Sequence, residues 1–230
     1  MLLNIDKNAK TIKGQSLGYM TGVLYLAPHT LSGYQVCPSA SLGCIAACLN
    51  TAGRGAMNCT QVARIRKTQM FFEDRESFMR QLDKEIVKLV AKAARAGMTP
   101  LVRLNGTSDL PWENFKIDGQ SLMERHPNVQ FYDYTKIRAR AMKWATGGMP
   151  SNYSLTFSLT ESNDADAKRV LGAGGSVAVV FRDTLPRQFL DAPVVDGDRH
   201  DVRTLDAGVV VGLKAKGRAR RDTSGFVRAA

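Results

Sequence analysis

Three histidines, four cysteines and no cysteine beyond Cys59 make the chain poor in the residues that build most metal centres. That scarcity excludes a histidine-rich metal site and a disulfide framework spread along the chain. No apolar run approaches the roughly 18 residues that a membrane span needs. The first ten residues, MLLNIDKNAK, lack the apolar core of a signal peptide, so the expected location is cytoplasmic. Acidic residues are also short, with 21 Asp and Glu against 32 Lys and Arg, a net charge of +11. Such a surplus attracts polyanions without naming one. Much of it lies in residues 214–230, at Lys214, Lys216, Arg218, Arg220 and Arg221. This stretch reads either as a solvated basic tail or as a surface that engages nucleic acid or a host protein. No nucleic-acid reader motif accompanies it.

What cysteine there is lies in one place. Residues 34–60, YQVCPSASLGCIAACLNTAGRGAMNCT, hold Cys37, Cys44, Cys48 and Cys59. In a reducing compartment such a cluster points to a metal or to redox chemistry and away from disulfides. The spacing C-x6-C-x3-C-x10-C matches neither the paired C-x2-4-C of structural zinc sites nor the x2 intervals of common ferredoxins. Soft thiolates select zinc or iron–sulfur clusters. The small residues Gly43, Ala46, Ala47, Ala52, Gly53 and Gly55 leave room for a bulky 4Fe–4S cluster, which is the favoured reading; zinc and four merely buried thiols are the alternatives. Cys44 and Cys48, four apart, are expected on one face of a short helix, with Cys37 returning from the preceding loop. Cys59 is the fourth candidate metal ligand. Arg54, in the turn between the cysteines, is the basic residue best placed to touch a cluster, and His29 is a further ligand or a donor behind one.

Around this loop the pattern is that of an α/β protein. Residues 2–13 suggest a small hairpin turning at Asp6-Lys7-Asn8. Gly22–Ala27 is the first strand, ended by Pro28. A helix with a basic face (Arg64, Arg66, Lys67) is expected near 60–70. Phe78, Leu82, Ile86, Leu89, Val90 and Ala93 then recur at helical spacing, with Gly97 and Pro100 as the stop. Strands are expected at Leu101–Asn105, Val129–Tyr134, Tyr153–Leu159, Ser176–Phe181 and Gly208–Leu213, and helices at about 119–126, 136–146 and 163–172. Alternation of this kind predicts a single domain, residues 1–230, built on a parallel sheet, most simply a partial or distorted (β/α) barrel whose first strand delivers the cysteine loop.

The strands end in polar side chains: Asn105, Asp109, Asp133, Lys136, Glu161 and Lys214. In parallel sheets the carboxyl edge is where sites are built, so these six are the catalytic candidates. Helix capping is the alternative role for any one of them. The run Asp196-Gly-Asp198-Arg199-His200-Asp201 packs three carboxylates around a histidine, as a turn or as a group that orients a metal or a substrate. His126 reads as a helix end.

Four segments, CPSASLGCIAACLNTAGRGAMN, RLNGTSDLPWE, YDYTK and DGDRHDVRTLDAGVVVGLKAKG, together resemble the phage and prophage gene-product-88 family over nearly the whole chain. The resemblance implies a phage-encoded protein working in a bacterial cytoplasm, with a core pattern of three cysteines that match Cys37, Cys44 and Cys48. A more distant likeness is to radical S-adenosylmethionine enzymes, in which a strand, a cysteine loop carrying 4Fe–4S and a partial β/α barrel follow in that order. Their C-x3-C-x2-C motif is matched by Cys44 and Cys48 only, Thr51 standing at the third position. Asn105-Gly106-Thr107 stands where those enzymes carry a Gly-Gly-Glu. The likeness implies a redox or radical enzyme with an open iron and S-adenosylmethionine as a second cofactor.

Overall fold

The structure, a computed structural model, describes residues 1–5 and 8–230. A sheet of ten strands forms its backbone: β1 (Leu3–Ile5), β2 (Tyr19–Leu24) and β3 (Thr99–Arg103), then, after the separate hairpin β4 (Lys116–Ile117) and β5 (Gln120–Ser121), β6 (Gln130–Thr135), β7 (Tyr153–Ser158), β8 (Ser176–Phe181), β9 (Gln188–Phe189), β10 (Ala192–Asp196), β11 (Val210–Lys214) and β12 (Val227–Arg228). The helices are α1 (Ala9–Lys13), α2 (Leu42–Ala46), α3 (Asn58–Glu73), α4 (Arg75–Arg95), α5 (Leu122–Arg125), α6 (Arg138–Ala145) and α7 (Asp164–Gly172).

The spatial order is β1-β2-β3-β6-β7-β8-β11-β10-β9, and from β2 to β10 every pairing is parallel. Strands that follow one another in sequence therefore lie side by side from β2 to β8 (setting the small hairpin aside), which sends the crossover helices to one face. Side-chain packing agrees. Leu82, Ile86 and Leu89 of α4 bury against Leu24 and Val102, and Ala141 of α6 and Val170 of α7 bury against Phe157 and Val177. The register joins Val102 to Phe131 and Phe131 to Tyr153, and further along Phe157 to Val177, so these strand residues share a face, as period-2 alternation requires.

Among the described residues the opposite face has no helix layer of this kind. Leu101, Tyr132 and Val202 pack there with Tyr19 and Tyr134. The pairing ends at β1 on one side and β9 on the other without returning on itself, so the sheet is open and the expected barrel does not close. Two antiparallel additions, β1 on β2 and β9 on β10, terminate it. The turn of the hairpin expected over residues 2–13 falls on Asp6 and Lys7, outside the described residues. Its second arm is helix α1, capped by the Asn8 side chain, which accepts from the Lys10 N–H. Residues 214–230 are not a free tail. A short 3-10 turn, Gly217–Arg221, leads to β12, which pairs with β8 beyond the point where β7 stops.

Candidate functional site

Because the central strands are parallel, their carboxyl ends emerge along one edge, and the cysteine loop lies over that edge. The chain leaves β2 through Ala27, whose N–H donates to Thr68 Oγ1 at 2.8 Å, and turns at His29, whose φ of 51° is left-handed. That turn aims the His29 N–H at Cys37 Sγ, 3.4 Å away, while the Val36 N–H returns to the His29 carbonyl. The Asp109 N–H donates to the Val36 carbonyl at 2.8 Å, and the Cys37 thiol faces the Thr107 carbonyl at 3.7 Å. Cys37 is thus pinned from both sides by the loop that follows β3.

Ser41 caps α2 by accepting from the Cys44 N–H. Glu161, from the end of β7, holds the same helix end: Oε1 accepts from the Gly43 N–H at 3.0 Å and Oε2 from the Ser41 hydroxyl at 2.6 Å. The helix is shorter than expected. It ends at Ala46, so Cys48 lies just past it, on a turn closed by its own N–H to the Ile45 carbonyl. Beyond Cys48, the Asn50 carboxamide is bonded to Gln61 and Arg64 of α3. Arg64 is buried with its guanidinium 4.8 Å from the Tyr25 ring centre, so the expected basic face of this helix is divided and only Arg66 remains exposed on it.

Cys37, Cys44 and Cys48 are close enough to act on one another. Burial pushes the Cys37 thiol up to about 11; the His29 N–H pulls it down, and Cys48, Cys44 and Asp109 push it further up. Burial likewise raises Cys48, opposed by the Asn50 N–H and by the positive charges of Lys136 and Arg64. Cys59 is exposed in the first turn of α3. As the side chains stand, no group of three or more His, Cys, Asp or Glu among the described residues is arranged to hold a metal ion. The three thiols are neighbours, not an assembled cage.

A family model described as Gene product 88 matches residues 2–230. The chain belongs to the gene product 88 family. No curated protein and no solved structure matches it. The family membership bears out the nearer of the two resemblances, and these comparisons add nothing to the radical S-adenosylmethionine one.

Within this family member the six strand-end candidates have distinct surroundings. Asn105 is 2% exposed, and its carboxamide oxygen accepts from the Ser108 hydroxyl, the Leu110 N–H and the Trp112 indole, so it folds the loop. Asp109 accepts from the Lys136 N–H and from Arg140. Asp133, 1% exposed, accepts from the Asn105 N–H at 2.6 Å and the Tyr153 hydroxyl at 3.0 Å. Glu161 grips α2, as above. Lys136 is half-buried, its ammonium 5.9 Å from the Phe226 ring centre, and it is the candidate whose charge reaches Cys48. Lys214 is exposed, with its N–H on Asp198, and Arg54 is exposed as well.

The acidic run divides too. Asp196 and Asp198 form the turn that the Gly between them suggests, and Asp198 pairs with Lys10 at 2.6 Å and Lys216 at 2.7 Å. Asp201 is buried under the open face, accepting from Arg103 at 3.0 Å and from the Tyr132 hydroxyl at 2.7 Å. Burial alone would raise its carboxyl, but Arg103, Lys10 and Tyr132 outweigh that and hold it below the ordinary carboxylate range. His200 bonds locally, to Val202 and Arg203. His126 does more than end α5, since its ring lies 2.8 Å from Asp83.

Two structural residues escaped the sequence. Arg140 bonds Glu113 through two nitrogens and also reaches Asp109 and Tyr153. In the run Arg138-Ala-Arg140 it looks like any solvated helical arginine. Arg182 clips the end of the chain by donating to the Arg220 and Asp222 carbonyls.

Proposed function

We propose that this protein is a phage-encoded iron–sulfur protein of the host cytoplasm that holds a 4Fe–4S cluster through Cys37, Cys44 and Cys48. The observation that carries the reading is the gathering of three soft thiols from one loop over the carboxyl edge of a parallel sheet, where α/β proteins build their sites. The donor set fits such a group. Backbone N–H groups of His29 and Asn50 point at two of the sulfurs, a feature that stabilises ligated thiolates, and Lys136 and Arg64 offset their negative charge. A single tetrahedral zinc, held by thiolates at about 2.3 Å, is the competing occupant of the same thiols.

When bound, the cluster supplies one-electron redox chemistry. The chain's own residues position it. Asp109 fixes the backbone before Cys37, and Glu161 fixes the start of the helix bearing Cys44. With Cys59 exposed and outside the trio, the fourth position is left for a substrate, a non-cysteine group or S-adenosylmethionine. The test is an anaerobic purification with visible spectrum and iron, sulfide and zinc analysis. Broad visible absorption with iron and sulfide in equal amounts is expected; a colourless protein carrying zinc contradicts the reading.

The net charge of +11 favours a second reading, a zinc- or cluster-stapled module that engages nucleic acid or a host protein through its basic surface. DNA affinity that falls steeply with salt would support it, and affinity indifferent to salt would remove it.

A further inference from the structure

Between α2 and the C-terminal strap runs an open groove of about 480 Å3, lined by Ala46 and Ala47 on one side and by Arg218, Arg221, Asp222, Thr223 and Ser224 on the other. Its volume is that of a small-ligand site. The strap that forms one wall is held firmly. Arg182 binds two of its carbonyls, β12 pairs with β8, and Phe226 and Val227 bury beside Ala47 and Cys44.

Its two arginines are placed by the local helix. In a 3-10 turn, residues three apart eclipse one another, so Arg218 and Arg221 of Gly217–Arg221 lie on the same side. Arg220, between them, is diverted to the Ala215 carbonyl. Among the described residues neither Arg218 nor Arg221 has an ion pair or hydrogen-bond partner. The one acid in the groove does not neutralise them: the Asp222 carboxylate accepts from the Ser224 N–H and hydroxyl and from the Val227 N–H, closing the strap's own turn. Two unbonded arginines lining one concavity opposite a pair of alanines form an arrangement suited to a phosphate group, which arginine binds bidentately.

We propose that this groove binds a phosphate-bearing ligand of nucleotide size through Arg218 and Arg221. The assignment stands independently of the metal reading, although Ala47 places the groove one residue from Cys48.

The test is isothermal titration of the purified protein with pyrophosphate and with adenosine diphosphate. It compares wild type, the double variant Arg218→Gln/Arg221→Gln, and Arg95→Gln at the exposed end of α4, with melting curves for each. Both substituted arginines are exposed and unbonded, so the fold should persist. Wild type should bind, the double variant should bind about tenfold or more weakly, and Arg95→Gln should match wild type. Absence of binding in wild type, or equal loss in Arg95→Gln, overturns the proposal. A single-stranded oligonucleotide is titrated alongside. If it binds more than about tenfold tighter than the diphosphate through the same two arginines, the groove is a nucleic-acid contact and the small-ligand assignment fails.

Discussion

At Asp133, burial and hydrogen bonding pull in opposite directions. Burial pushes its carboxyl up to about 7, and the Asn105 N–H, Arg103, Arg140 and the Tyr153 hydroxyl only partly offset this. The folded protein therefore keeps a proton that the unfolded chain has lost, and stability declines as pH rises from about 4 to about 7. Asp133→Asn keeps an acceptor for the Asn105 N–H and removes the titration. Its melting temperature relative to wild type should rise across that window, with a gain of order 1–3 kcal/mol at pH 8; a pH-independent difference would refute the account. Asp201 behaves oppositely, since its carboxyl is held low and its partner Arg103 is buried with it. Asp201→Asn should cost about 3–5 kcal/mol near neutral pH by stranding that guanidinium, measured by denaturant unfolding. Both residues could be named from sequence as polar positions at strand ends or in an acidic run. Their burial could not, because it depends on partners brought in by the folded sheet, Tyr153 from the neighbouring strand 20 residues on and Arg103 from 98 residues away.

The elements around the thiols are short, and their stability comes from one another. α2 has five residues, too few to persist alone, and it is held by Glu161 at its start and by the strap along its side. Gly43 is where they meet: a Cβ there would collide with Ser224 Oγ and with Phe226 Cβ. Gly43→Ala should dislodge the strap and cost about 2 kcal/mol or more, seen as new tryptic cleavage at Arg218, Arg220 and Arg221; an unchanged digest would contradict the packing described. Glu161→Ala should weaken metal loading by freeing the helix that carries Cys44, whereas a purely catalytic Glu161 would leave loading intact. Long elements were legible. α4 runs from Arg75 to Arg95, with Asp74 capping it and Gly97 after it, as its apolar spacing predicts. In the cysteine loop the short helix bearing Cys44 was legible, but its end before Cys48 and the turns that follow were not, since Gly- and Ala-rich segments carry little periodicity and take their shape from what packs on them.

Over the whole molecule, the alternation of strands and helices made a parallel sheet legible, together with the edge on which its polar residues would gather. Closure was not legible. Whether successive strands form a barrel or an open sheet depends on how the ends are finished, and here β1 and the β9–β10 pair add antiparallel edges. The basic end of the chain read as a solvated tail or a binding surface because its charges dominate, yet its Ala219, Phe226 and Val227 are buried and carry it back onto the sheet. The central claim is that this open sheet presents a three-thiol metal centre. It is tested most directly by iron and sulfide content per chain after anaerobic purification, comparing wild type with Cys48→Ala and Cys59→Ala. The account predicts iron and sulfide in wild type and Cys59→Ala alike and their loss in Cys48→Ala. Equal loss in both variants would make Cys59 a ligand and break the trio, and no iron in any of the three would refute the cluster itself.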